Sequence, residues 1–197
     1  MESKYLFVVL VFFWNTCIAQ NKVDWREDLE ITFESFQGDL PEFEEDNVQQ
    51  YSFSATFDLN FHMLNLQFAF TKNFNQYVST YFIPDYSWME TGQFTEQLLL
   101  MANLDFDLLE LYARKFRKRM FESKSLASNT DFYSKLYDEI SKELIAKQSL
   151  IQNKIRTHDK PLEYLASEIE TVNSEIKKLS EFCKTCKPQK RKKRRNK

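Results

Sequence analysis

Residues 98–120 read LLLMANLDFDLLELYARKFRKRM. In and just ahead of this stretch, Phe94, Leu98, Met101, Ala102, Asp105, Leu108, Leu109, Tyr112, Phe116 and Met120 recur at steps of three and four. That is the period of one buried helical face, so the stretch predicts a long central helix. Asp105 is the exception on that face. A carboxylate there must be hydrogen-bonded, paired, wet or protonated, because an isolated buried charge is too costly. Glu110 and Arg114 stand four apart, an order that adds a little to helix stability.

Upstream of this helix the pattern changes to alternation. Tyr51, Phe53, Ala55, Phe57, Leu59 and Phe61 take one side of a half-buried strand, with polar residues on the other. The phase flips at Met63 and Leu64, and Leu64, Leu66, Phe68 and Phe70 continue it, which predicts a bulge or reversal and more strand. Leu29, Ile31 and Phe33 suggest a short strand running into a turn at Gly38 and Pro41. Residues 77–83 suggest another, closed by Pro84. The stretch 42–46 is an acidic loop. His62, on the polar side of the strand, reads as an exposed histidine.

Downstream, residues 122–129 form a polar linker. Asn129 or Thr130 can cap a second helix striped by Phe132, Leu136, Tyr137, Ile140, Leu144, Ile151 and Ile155. Asp159 or Lys160 caps a third, with Pro161 in its first turn and Leu162, Leu165, Ile169, Val172, Ile176 and Leu179 as its seam. The expected fold is α+β: an N-terminal antiparallel sheet followed by about three helices.

The central helix resembles the signature helix of secreted bacterial zinc-peptidase-like proteins of the DUF922 type, which carry HEQxHFDxxExYARKxRK. The matching residues are Phe106, Asp107, Glu110, Tyr112, Ala113, Arg114, Lys115, Arg117 and Lys118. Trp25, Leu29, Thr32, Phe36, Gly38 and Pro41 fit a W…LTWxDFxGxP element of that family, from which Phe33 and Ser35 depart. The run FIPDYSW, ending at Trp88, resembles its PxxSW element. The resemblance implies a zincin-like fold. Met101, Ala102 and Asp105 stand at the His, Glu and His of HExxH, so the motif is degenerate. Two His four apart share a Zn²⁺, and the Glu takes a proton from its water. Methionine is a poor zinc ligand and alanine accepts no proton. The resemblance therefore implies a catalytically inactive pseudoenzyme with no cofactor, binding a peptide or protein partner. The family's Thr-His element between the last two helices is matched by Thr157 and His158. His158 is either a relic ligand or a junction histidine making a local hydrogen bond. Asp107, Glu110, Arg114 and His158 are the candidate residues of a remnant cleft. The alternatives are a hydrolase with a rearranged metal site drawing on Asp105 and His158, and an envelope-associated structural protein.

Only two glycines occur, Gly38 and Gly92, so no GxGxxG or P-loop can be written. Lys4, the apolar run Tyr5 to Trp14, and Cys17-Ile18-Ala19 read as a signal peptide over residues 1–19. The expected location is periplasmic or secreted, with no transmembrane helix once the signal is removed. One domain is expected over 20–182, and residues 183–197 form a C-terminal extension. There, Cys183 and Cys186 suit a small local disulfide or a pair of thiols. Residues 187–197 hold eight Lys or Arg, among them Lys190, Arg191, Lys192, Lys193, Arg194 and Arg195. Between residue 20 and this tail, 18 basic residues face 28 acidic ones, a net charge of −10. Such a tail either solubilises or binds polyanions: an anionic envelope surface or a neighbouring acidic copy, with no specific nucleic acid.

Overall fold

The structure is a computed structural model describing residues 21–42, 49–129 and 131–189. The elements in order are β1 (Val23–Asp24), β2 (Tyr51–Ser52), β3 (Ala55–Leu59), α1 (Asn65–Phe70), β4 (Val78–Phe82), β5 (Trp88–Met89), α2 (Thr95–Ser123), α3 (Phe132–Thr157) and α4 (Pro161–Lys178). The fold is mixed, with small antiparallel sheets ahead of three long helices. β1, β4 and β3 form one sheet in that order, and β2 pairs with β5 in another.

α2 is the central strut. Leu104, Phe106, Leu108, Leu111, Phe116 and Met120 are buried along it, against the sheet on one side and α3 and α4 on the other. Burial runs nearly all round the helix, which is why its apolar stripe is less sharp than that of a surface helix. α3 contributes Ile140, Leu144, Ile151 and Ile155, and α4 contributes Leu165, Val172 and Ile176, all from their expected stripes. Pro161 opens α4 after Lys160, where its missing N–H costs nothing. Asp131 precedes α3 without a side-chain cap, in place of the expected Asn129; Thr130 lies outside the described residues.

Three sequence expectations are corrected. Leu64 to Phe70 does not continue as a strand but turns into α1, burying only Phe68 among Phe61, Phe74 and Phe132. A short apolar run fits either period, and here the aromatic cluster selects the helix. Leu29 to Phe33 is not a strand either. The Asn103 side-chain amide on α2 takes both backbone groups of Ile31, accepting from its N–H and donating to its carbonyl at 2.8 Å each. Those groups are satisfied without a sheet partner, and the first strand is β1. Finally, the run from Tyr51 to Phe61 serves two sheets. Ser54 N–H turns to Ser87 Oγ (3.0 Å), and the chain changes partners from β5 to β4.

Gly38 lies where no Cβ fits. One built there would meet the carbonyl oxygens of Asp85 and Ser87 at 2.9 and 3.0 Å. The close approach lets Gly38 N–H reach Ser87 O (2.8 Å), which joins the N-terminal loop to the turn before β5.

The C-terminal loop is bonded to this body. Asn73 and Asn75 both donate side-chain amides to the Cys186 carbonyl at 3.1 Å, and Lys184 pairs with Asp24 at 2.8 Å. Cys183 and Cys186 are joined by a disulfide, with Cα atoms 5.0 Å apart. Among the described residues no helix is long and apolar enough to cross a membrane. The signal-like segment, most of the acidic loop and the basic run from Lys190 to Lys197 lie outside the described residues.

Candidate functional site

The three motif positions sit in the middle of α2. Ala102 is fully buried and Met101 is packed against the core. Asp105 accepts hydrogen bonds from Gln148 Nε2 on α3 (3.1 Å) and Tyr51 Oη on β2 (3.5 Å). Both donors are neutral. Burial is the largest influence on this carboxyl and raises its pKa, while the two hydrogen bonds oppose the shift. Burial and the adjacent Asp105 likewise push the Tyr51 phenol well above its ordinary range. Asp105 is therefore a solvent-poor carboxyl whose hydrogen-bond partners among the described residues include no cation.

One turn on, the chemistry reverses. Glu110 is buried and accepts from Thr80 Oγ1 (2.8 Å), Arg114 Nε (2.8 Å) and Arg117 Nη1 (2.9 Å). Arg117 is 1% exposed. It also donates to the carbonyls of Val78 (2.8 Å) and Phe182 (3.1 Å), and Arg114 donates to that of Ile176 (2.9 Å). One charged cluster thus binds α2 to β4, α4 and the C-terminal turn. Among the described residues, Nε of Arg117 is a fully buried atom of the cluster without a hydrogen-bond partner. The Glu110–Arg114 pair is buried and belongs to this cluster, where its spacing alone suggested only a small addition to helix stability. Asp107 accepts from Trp25 Nε1 (2.9 Å). Burial raises its pKa, opposed by Trp25 and Asn173.

The candidate cleft residues separate on this scaffold. Glu110 and Arg114 line a cavity of about 430 Å³ together with Trp25, Thr80 and Arg117, walled on one side by Cys183 and Lys184. His158 is elsewhere, at the α3–α4 junction. Its Nδ1 accepts from Lys160 N–H (3.1 Å), and its ring stacks on Tyr164 at 5.3 Å. Gln148, the partner of Asp105, is ten residues back along α3, or about 15 Å at 1.5 Å per residue. Asp105 and His158 are not brought together. Among the described residues no three His, Cys, Asp or Glu are grouped to hold a metal ion.

A second concavity runs along the sheet edge. β3 is an edge strand. Its Asn60 N–H and Ser54 carbonyl bond toward β4, so alternation turns the backbone groups of Ala55, Phe57 and Leu59 outward. Beside that edge lies a groove of about 370 Å³ lined by Asp58, Leu59, Tyr133, Ser134, Tyr137 and Asp138. Tyr137 Oη donates to the outward Phe57 carbonyl at 3.3 Å. This groove drew no signal from the sequence, because its two walls are about 75 residues apart.

Asp105→Asn follows from this geometry. The amide keeps the shape, accepts from Gln148 and can donate to Tyr51 Oη. The folded carboxyl holds its proton above the unfolded value near 3.8. The contribution of Asp105 to wild-type stability is therefore fully present below that pH and is lost as pH rises through the raised folded value. At pH near 4 the variant should match wild type within about 1 kcal/mol, and the difference should move in its favour toward neutrality. Urea titrations at several pH values check this; a uniform loss of about 3–5 kcal/mol, the cost of a broken buried ion pair, would contradict it.

Compared with known proteins, the chain matches no protein-family model, no curated protein and no solved structure, so the family resemblance rests on the quoted residues alone.

Proposed function

We propose that this is an exported, catalytically inactive zincin-like protein that binds an extended peptide or protein segment along the outer edge of β3. The observation that carries the reading is a strand edge that pairs with no further strand among the described residues, beside an aromatic groove rimmed by Asp58 and Asp138. An extended segment adds to such an edge through main-chain hydrogen bonds, and the groove reads alternate side chains. Two tyrosines supply apolar area with polar tips. Two carboxylates favour a Lys or Arg in the incoming segment. Met101 is a poor zinc ligand and Ala102 accepts no proton, and no three His, Cys, Asp or Glu are grouped around Asp105 among the described residues, which supports the inactive reading.

A displayed random-peptide library should enrich sequences with Lys or Arg among alternating apolar residues. Asp138 is exposed, so Asp138→Lys should leave the fold intact and weaken a selected peptide about tenfold or more through like-charge repulsion. Tyr137→Phe removes one of the two hydroxyls that donate to the Phe57 carbonyl and should preserve or tighten binding. Failure to enrich any sequence, or unchanged affinity in Asp138→Lys, would overturn the assignment.

A further inference from the structure

We infer that the cavity between β1, β4, α2 and the C-terminal turn is a binding site for a small organic carboxylate, held by Arg114 and Arg117. The inference does not rest on the β3 groove, which other residues line. The cavity measures about 430 Å³, within the size range of small-molecule sites. Arg114 donates from Nε to Glu110 and from Nη1 to the Ile176 carbonyl, and its Nη2 meets no acceptor among the described residues. That atom is not fully buried, so solvent reaches it. Arg117, 1% exposed, carries a second such donor: its Nε is fully buried without a partner among the described residues. A buried donor of this kind calls for an acceptor. The two side chains line one cavity, and a carboxylate has two oxygens with which to take guanidinium N–H groups. Trp25 packs against the Arg114 guanidinium at 5.4 Å and lines the same cavity, adding apolar surface for the rest of the ligand.

The charge balance selects the class of ligand. Four cationic side chains and three carboxylates line the cavity. At its exposed rim the charges cancel: Lys184 pairs with Asp24 at 2.8 Å, and Arg26 is offset by Glu27. Inside, Arg114 and Arg117 have Glu110 as their one carboxylate partner among the described residues, so the buried cluster keeps one net positive charge. Asp107 is held by the Trp25 indole and is not part of the lining, and its burial disfavours the charged form. A buried charge left over in this way is costly until it is paired. A monoanion restores neutrality. Phosphate or sulfate would bring further negative charge next to Glu110, and a bare inorganic ion would leave most of the cavity and its indole wall unused. A monocarboxylate with an apolar body fits both the charge and the space.

Isothermal titration calorimetry at fixed ionic strength tests this with benzoate, with benzamide as its neutral isostere, and with inorganic phosphate. Benzoate should bind at one site per chain, about tenfold or more tighter than benzamide or phosphate. It should also raise the urea midpoint, because it binds the folded state alone. Arg114→Lys keeps a point charge and loses the planar fork, so the folded variant should bind benzoate about tenfold more weakly. Arg114 also belongs to the buried cluster, so a second variant is needed that leaves the cluster intact. Thr185 is exposed and lines the cavity. Thr185→Glu should leave the midpoint of the ligand-free protein unchanged and weaken benzoate about threefold through like-charge repulsion. Absence of benzoate binding at millimolar concentrations would overturn the inference. Equal affinity for benzamide would show that no charge is read, and equal affinity for phosphate that no carboxylate is selected; either overturns it. Unchanged benzoate affinity in Thr185→Glu would place the binding elsewhere and overturn it as well.

Discussion

Glu110→Ala is expected to destabilise the protein by about 3–5 kcal/mol, measured as a fall in the urea unfolding free energy. Two guanidiniums, Arg114 and Arg117, would remain buried with no carboxylate between them. The cost is mostly that of uncompensated buried charge rather than the net worth of the ion pairs. Domains of this kind are stable by only about 5–15 kcal/mol, so the variant should approach the unfolding threshold. A control isolates burial from charge. Arg119 and Glu143 pair at 2.7 Å, the first half-buried and the second exposed, and Glu143→Ala should cost no more than about 1 kcal/mol. Equal effects at the two sites would show that the Glu110 cluster is not the crosslink described.

Phe74→Ala should be comparably severe, at about 3–5 kcal/mol. Its ring is buried and lies 5.6–6.4 Å from those of Phe61, Phe68, Tyr77 and Phe132. Truncation removes the centre of the cluster that seats α1 and the start of α3, leaving a cavity that several aromatic neighbours cannot easily fill. Phe70→Ala, four residues away but exposed, should change stability by about 0.5 kcal/mol or less. Thermal unfolding of the pair checks the contrast, and similar midpoints would mean that the cluster is not a cooperative part of the core.

The helices and β4 were legible because their apolar periods match the faces they bury. The failures have identifiable causes. Nothing local to Ile31 reveals that a side-chain amide 72 residues later will satisfy its backbone. Nothing in the alternation from Tyr51 to Phe61 shows that the strand changes partners at Ser54. In the candidate site, Asp105 stands out as a carboxylate on an apolar face, but its donors Tyr51 and Gln148 come from separate elements. Glu110 and Arg114 are visible as a spacing. Their burial depends on Arg117 reaching Val78 and Phe182, contacts fixed by the packing of β4 and the C-terminal turn.

These residues share one logic. The central segment works as architecture: Ala102 fills the core, Asp105 holds α3 and β2 through neutral donors, and Glu110 anchors the arginines. The most direct measurement is the zinc content of purified protein after equilibration with excess Zn²⁺ and exhaustive dialysis, read by elemental analysis. The account predicts far less than one zinc per chain, with no difference between wild type and Asp105→Asn. One tightly held zinc per chain, lost in Asp105→Asn, would contradict it.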